Sequence, residues 1–211
     1  MVFTDSPRSG AVAPAGVAPS EGTLPPVLGA LQQILAENAA LLTRLPPEAE
    51  AHLAALADRL RSADRVFVLG AGRSGLALGM TAMRLMHLGL AVHVVGEVTA
   101  PAIRAGDTLL VASGSGSTAG IVRAAETAHT VGANVLALTT AADSRLAELA
   151  DVCVLLPAAQ KQDRAGSVSA QYAGALFEQA VVLVGDALFF SLWRASGATA
   201  DELWPRHANL E

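Results

Sequence analysis

Charge is scarce in this sequence and cysteine scarcer still: 16% of its 211 residues are charged and one is cysteine. The 14 Lys and Arg side chains are scattered singly, and the formal net charge is −5. Nucleic-acid binding driven by phosphate contacts needs clustered cations, so nucleic acid is not expected as a partner. Cys153 sits in the apolar run Val152-Cys153-Val154-Leu155-Leu156 and reads as a small core hydrophobe. A lone cysteine makes no intrachain disulfide, which fits a reducing cytoplasm. Long apolar runs are missing too. The chain is 52% hydrophobic with a mean hydropathy of +0.44, yet no stretch of about 18 apolar residues escapes a Gly or a charge. The most apolar segment, Ala173 to Trp193, carries Glu178 and Asp186 and reads as a buried core or interface helix, so no membrane is expected. Metal-ligand spacing is likewise absent. His52, His87, His93, His129 and His207 form no HxH or HxxxH pattern, and no metal is expected.

What is present is a regular alternation. Residues 1–24 are a low-complexity Pro/Ala/Gly/Ser mixture, expected to be a disordered extension. Asp5 and Arg8 precede that mixture and no continuous apolar stretch follows them, so no cleaved leader is expected. Residues 25–211 read as a single domain. Leu28, Leu31, Ile34, Leu35, Leu41 and Leu42 recur at largely helical spacing. Pro46-Pro47 ends that helix and opens another carrying Leu53, Leu56 and Leu60. The period then changes: Val66-Phe67-Val68-Leu69 is a short apolar run ending at Gly70, the pattern of a buried parallel strand. Helix Leu76–His87, strand Ala91–Val95, strand Thr108–Val111 and helix Thr118–Val131 follow, then strand Asn134–Leu138, a short helix over Ser144–Leu149 and strand Val152–Leu156. A long polar loop, Pro157–Tyr172, leads to a last helix, Ala173 to about Ala195, and a tail, Asp201–Glu211. Such alternation predicts an α/β fold with a five-stranded parallel sheet covered on both faces. The expected strand order is the flavodoxin-like 2-1-3-4-5, with ligands at the carboxyl ends of the strands. A chain so apolar and acidic is also expected to bury further surface by oligomerising.

Two Gly/Ser turns stand at such strand ends. The first, Gly70-Ala71-Gly72-Arg73-Ser74-Gly75, is a formal GxGxxG, and Glu97 follows the second strand where a dinucleotide fold keeps its ribose carboxylate. A nicotinamide or flavin site is therefore a rival reading, weakened by the lack of a second substrate domain. The other turn, Val111-Ala112-Ser113-Gly114-Ser115-Gly116-Ser117-Thr118-Ala119-Gly120, also joins a strand to a helix. Its hydroxyls and the free N–H groups of a helix start suit a compact dianion, while Gly114 and Gly116 let the backbone come close. No lysine stands in the Walker position, which disfavours a nucleoside triphosphate. The alternative is an ordinary N-capped helix after a flexible turn.

Together with Met83-Arg84-Leu85-Met86-His87-Leu88-Gly89, Val95-Gly96-Glu97, Leu176-Phe177-Glu178-Gln179 and the ending Arg206-His207-Ala208-Asn209-Leu210-Glu211, these turns carry a resemblance. From about Leu28 onward the chain resembles the sugar isomerase (SIS) domain family and, within it, the 6-phospho-3-hexuloisomerases of the ribulose monophosphate pathway. The resemblance implies a homotetramer and a metal-free, cofactor-free interconversion of D-arabino-3-hexulose 6-phosphate with fructose 6-phosphate. It implies that Ser113, Ser115 and Thr118 hold the phosphate, within the loop that also includes Gly114, Gly116 and Ser117. Arg73 and Ser74 would line the sugar end, Glu178 would be the base, and His207 would assist from the tail. Gln171-Tyr172-Ala173-Gly174 departs from the family's Pro-containing step before the last helix.

The residue types suit that chemistry. Moving a carbonyl between neighbouring carbons needs a base that takes a proton from one and returns it to the other through an enediol. Glu178 opens an otherwise apolar helix, where burial raises a carboxylate's proton affinity; it reads equally as a partner of the helix dipole. Histidine is a side chain that both gives and takes protons in physiological chemistry, so His207 would serve ring opening, or else is a solvated terminal residue. A tail serving a neighbouring subunit's site would reconcile its position with catalysis. His87, beside Met83 and Met86, reads as packing or interface; Arg84 as an active-site or intersubunit cation or a solvated one; Asp186 as an internal hydrogen-bond partner. Another SIS-type sugar-phosphate isomerase and a non-catalytic sugar-phosphate-binding protein are the alternatives.

Overall fold

The computed structural model describes residues 26–161, 163 and 168–210. The extension expected over residues 1–24 and part of the Pro157–Tyr172 loop lie outside them. Two helices, α1 (Val27–Thr43) and α2 (Ala49–Ser62), precede the alternating region. There follow β1 (Val66–Gly70), α3 (Arg73–His87), β2 (Val92–Val94), β3 (Thr108–Ala112), α4 (Ala119–Thr130), β4 (Asn134–Thr139), α5 (Arg145–Leu149) and β5 (Val152–Leu155). The chain closes with α6 (Ala175–Ser196), α7 (Ala200–Leu203) and a single 3-10 turn over Trp204–Arg206. The strands pair in parallel in the order β2-β1-β3-β4-β5, the order the alternation predicts.

Each apolar strand divides its side chains between two cores, as the two-residue period of a strand requires. Val66, Val68, Leu110, Ala112, Leu136 and Leu138 face α1, α2, α3 and α6. Phe67, Leu109, Val111, Val135 and Ala137 face α4 and α5, where Ile121, Ala125 and Ala128 supply one helical stripe. By length and composition α6 could cross a membrane. In the fold, however, Leu176, Phe177, Ala180, Val181 and Leu188 of α6 are buried in the first core.

Element boundaries move where the backbone is forced to turn. α3 starts at Arg73, three residues before the expected Leu76, because Gly72 (φ 57°, ψ −134°) reverses the chain at once. The flanking glycines are fixed by contact: a Cβ on Gly70 would lie 2.7 Å from the Gly75 nitrogen, and one on Gly75 2.6 Å from the Gly70 oxygen. β2 is shorter than the expected Ala91–Val95, since it is an edge strand paired only with β1 and the chain turns at Gly96. α6 begins two residues late because Ala173 (φ 48°) and Gly174 (φ 80°) are both left-handed.

α3 and α6 lie unusually close. A Cβ added to Gly185 would collide with the Thr81 hydroxyl, so only glycine admits this approach. Asp186 forms no hydrogen bond among the described residues; it is half exposed and faces Arg84 across the same helix pair at 3.9 Å. At the far end of α3, His87 is buried and its ring stacks on His207 with centroids 4.0 Å apart. The Arg206 guanidinium donates to the His87 carbonyl at 2.9 Å, and Trp204 flanks His207 at 4.7 Å. The tail is thus docked on the C-terminal end of α3.

Two consequences can be measured. Gly185→Ala is expected to lower stability by about 1–3 kcal/mol through overpacking, and Thr81→Ala in the same chain to recover most of the loss in denaturant titration. Additive losses would contradict the contact. Burial pushes the His87 pKa down, and the nearby His207 and Arg84 charges push it the same way. The unfolded ring titrates near ~6.5, so this contribution to stability is complete above that pH and is lost as pH falls through the lowered folded value. The thermal midpoint of the wild type should therefore fall between pH 7.5 and 5.5, more steeply than that of a His87→Phe variant.

Candidate active site

The candidate site lies at the carboxyl edge of the sheet, where β3 hands over to α4. The serine loop there is stitched in place and is no linker. The Ser113 N–H donates to the Leu138 carbonyl, the Gly116 N–H to the Ser113 carbonyl, and the Leu146 N–H to the Gly116 carbonyl. The Gly114 carbonyl accepts from the Thr140 N–H and from the hydroxyls of Thr139 and Thr140. Gly116 takes φ 60°, and a Cβ there would collide with Ser144. These contacts hold the loop's hydroxyl-bearing edge toward the space above the strands. Thr118 stands at the N-cap of α4 without capping it; its hydroxyl lies 3.2 Å from that of the buried Ser113.

Three helices begin around this loop. Ala71 and Ser74 at the start of α3, Thr118 before α4, and Gly174 and Phe177 at the start of α6 all line one cleft with Ser113, Gly114 and Ser115. Each helix start presents unpaired N–H groups and the positive end of its dipole. The cleft encloses about 90 Å³, small beside the roughly 300–1,000 Å³ of sites that engulf whole ligands. It has room for one phosphate-sized group. A larger groove of about 450 Å³ between α1, α2 and α6 is lined mainly by apolar side chains and meets only one helix start, that of α2 at Glu50, so it is not the candidate.

Next to two of the lining residues stand an arginine and a carboxylate. Arg73 precedes Ser74 and Glu178 follows Phe177, and the Arg73 Nε lies 2.8 Å from the Glu178 carboxylate. Glu178 is 6% exposed. The apolar run around Glu178 implies a solitary buried acid; the fold gives it a guanidinium partner and the N-terminal turn of α6. The Arg73 side chain stays 64% exposed, so the pair sits at the mouth of the cleft.

The structure thus brings together Arg73, Ser74, Ser113, Gly114, Ser115, Thr118 and Glu178. Gly116 and Ser117 are not among the lining residues: Gly116 packs on Ser144, and Ser117 donates its hydroxyl to Ser115 from the exposed outer side. His207 is not brought there by its own chain. It stacks on His87, fourteen residues along α3 from Arg73, about 21 Å at 1.5 Å per residue. Glu97 is exposed in the turn beyond β2. Among the described residues no three of His, Cys, Asp and Glu come close enough to hold a metal ion.

Sequence reasoning missed three contributors. Gln160 and Lys161, from the segment after β5, line the cleft; the only available signal was that Lys161 is the chain's one lysine. On α1, Glu37 accepts from the Ser169 hydroxyl, the Ala170 N–H and the Gln171 amide. Burial pushes the Glu37 pKa up, but these hydrogen bonds together with that of Gln33 outweigh it and hold the pKa below the usual carboxylate value. Gln179 donates to Gln171 at 2.7 Å and accepts from Asn38 at 2.8 Å. This network ties α1 to the entrance of α6, and it accounts for how Gln171-Tyr172-Ala173-Gly174 reaches the helix without a proline.

A family model described as the SIS domain matches residues 59–183, which include the serine loop, Arg73, Lys161 and Glu178. A curated relative from Mycobacterium gastri, named 3-hexulose-6-phosphate isomerase, is 56% identical over 175 residues, covering 83% of this chain and 86% of that one. A relative of the same name from Bacillus subtilis (strain 168) is 38% identical over 157 residues, covering 74% of this chain and 85% of its own. Among solved structures, a hypothetical protein of Methanococcus jannaschii aligns with a TM-score of 0.74 at 28% identity, over 87% of this chain and 99% of that one. Its crystal structure is described as inferring a 3-hexulose-6-phosphate isomerase function. The matched region carries the fold and nearly all of the candidate site, and on it the chain belongs to the SIS domain family.

Proposed function

We propose that this chain is an isomerase that interconverts D-arabino-3-hexulose 6-phosphate and fructose 6-phosphate through an enediol, without a metal, as a step of the ribulose monophosphate pathway. The observation that carries this reading is the adjacency of a phosphate-sized, hydroxyl-lined cleft to a buried carboxylate. Ser74 and Phe177 line the cleft while Arg73 and Glu178, their chain neighbours, pair at its mouth. The names of the relatives from Mycobacterium gastri and Bacillus subtilis support the choice of substrate.

In this reading the 6-phosphate enters the cleft, held by Ser113, Ser115, Thr118, Ser74 and the three helix starts. The carbon chain then extends toward the mouth. Glu178 takes the proton from C2 of the hexulose and electrons move onto the C3 oxygen; that oxygen takes up the proton of the C2 hydroxyl, and the same carboxyl returns a proton to C3 as the carbonyl forms at C2. The Arg73 guanidinium, beside Glu178, is placed to stabilise the negative oxygen of the intermediate. Fructose 6-phosphate is mostly a closed ring, whereas the 3-keto isomer cannot close a five-membered ring through its phosphorylated C6 oxygen. Ring opening needs a proton carrier, which we assign to His207.

His207 lies a helix length from its own chain's Glu178, so the assignment requires His207 of a second copy. Exposed Leu76, Met80 and Met83 on α3 and Leu183 and Phe190 on α6 support burial against such a copy, and we propose a homotetramer. The single cysteine supports a cytoplasmic setting.

Purified protein given D-arabino-3-hexulose 6-phosphate is expected to form fructose 6-phosphate at the same rate with and without EDTA, and without nucleotide. Glu178→Gln should lower kcat roughly a thousandfold while leaving the thermal midpoint near that of the wild type. A protein that binds fructose 6-phosphate but shows no turnover would point to a sugar-phosphate-binding role instead. Full turnover after removal of residues 206–211 would refute the part given to His207.

A further inference from the structure

We infer that Lys161 is the cation that meets the phosphate dianion, and so the residue that sets the preference for a phosphorylated ligand over a neutral one. This rests on reading the cleft as the phosphate end of the substrate site.

Among the described residues lining the cleft, Lys161 is the only one with an ionisable side chain. The other polar lining groups, the hydroxyls of Ser74, Ser113, Ser115 and Thr118 and the amide of Gln160, are neutral. Neutral donors hold a phosphate, but they hold a sugar hydroxyl by the same kind of bond. A formal charge separates the two ligands. Arg73, next to the lining residue Ser74, is engaged with Glu178 at 2.8 Å and stands at the mouth. The chain has no other lysine to substitute.

The backbone around the Lys161 stem is shaped to hold it there. A Cβ on Gly174 would lie 3.2 Å from the Lys161 Cγ and 3.8 Å from its backbone nitrogen, so the stem runs along the bare backbone that opens α6. That backbone is left-handed at Ala173 as well as Gly174, and Ala173 is the one non-glycine residue with positive φ among the described residues. An L-residue adopts that conformation at a cost. It is held at the point where the chain passes beside the lysine. Lys161 is exposed, so its ammonium stays hydrated in the free protein. A flexible stem carrying three donors suits a rotating phosphate group.

The test is calorimetric binding of inorganic phosphate to the wild type, Lys161→Met and Lys161→Arg, with KM and kcat for the hexulose phosphate on the same preparations. Loss of one charge-assisted contact is expected to weaken phosphate binding by about tenfold or more in Lys161→Met. KM should rise in step, kcat should change by less than about threefold, and Lys161→Arg should restore most of the affinity. Phosphate binding and KM unchanged in Lys161→Met would overturn the inference while leaving the isomerase reading intact. Phosphate binding that depends on Lys161 in a protein with no turnover would uphold the inference and refute the isomerase reading. Absence of phosphate binding to the wild type would overturn the inference, while turnover on the same preparation decides the isomerase reading separately.

Discussion

The site depends first on how closely α3 and α6 run beside one another. Thr81 fills the space where Gly185 lacks a side chain. Thr81 is eight residues into α3 from Arg73, and Gly185 is seven residues into α6 from Glu178. At 1.5 Å per residue these are about 12 Å and about 10.5 Å of helix. The helices therefore run in the same direction with their starts level, and the Arg73–Glu178 pair follows from that register. The Gly70–Gly75 contact fixes the same end of α3 against β1. A side chain at any of these three glycines would displace the ion pair before it touched any ligand.

On that frame the site divides by chemistry. Its inner part is built from hydroxyls, helix starts and Lys161, and it is rigid because Gly114 and Gly116 are bonded back to β4 and α5. Its outer part is the ion pair. A carboxylate this buried is costly to leave alone, and Arg73 offsets that cost while remaining exposed enough to reach a substrate oxygen. In the proposed reaction negative charge passes from the carboxylate to an enediol oxygen, and one guanidinium serves both. The tail belongs to neither part within its own chain. Its docking through His87, His207 and Arg206 at the opposite end of α3 is what makes a second copy necessary to the account.

The strand order and the two Gly/Ser turns were legible because both are local patterns: an apolar run that ends in glycine, then a helix start. Glu178 was legible as a polar residue in an apolar helix, but its partner was not, because no period links it to Arg73. Nor could an all-apolar run such as Leu109-Leu110-Val111 declare which residue faces which core. Lys161 carried no pattern, being a single cation in an irregular loop. Glu37 was hidden for a different reason: its partners Ser169, Ala170 and Gln171 meet it only after the chain has crossed the whole sheet. Ala173 escaped notice because alanine gives no sign of a left-handed turn.

The central claim is that the carboxyl group of Glu178 moves a proton between C2 and C3. It is tested most directly by incubating the protein with fructose 6-phosphate in heavy water, well past equilibrium, and locating deuterium by NMR. Each reversible passage through an enediol gives the proton a chance to exchange, so the account predicts progressive deuteration at C3 and at no other carbon of fructose 6-phosphate. Glu178→Gln should leave C3 protonated over the same time. Interconversion of the two sugars with C3 still fully protonated would show that hydrogen moves as hydride, and equal labelling by the Glu178→Gln protein would remove Glu178 from the chemistry; either result would contradict the account.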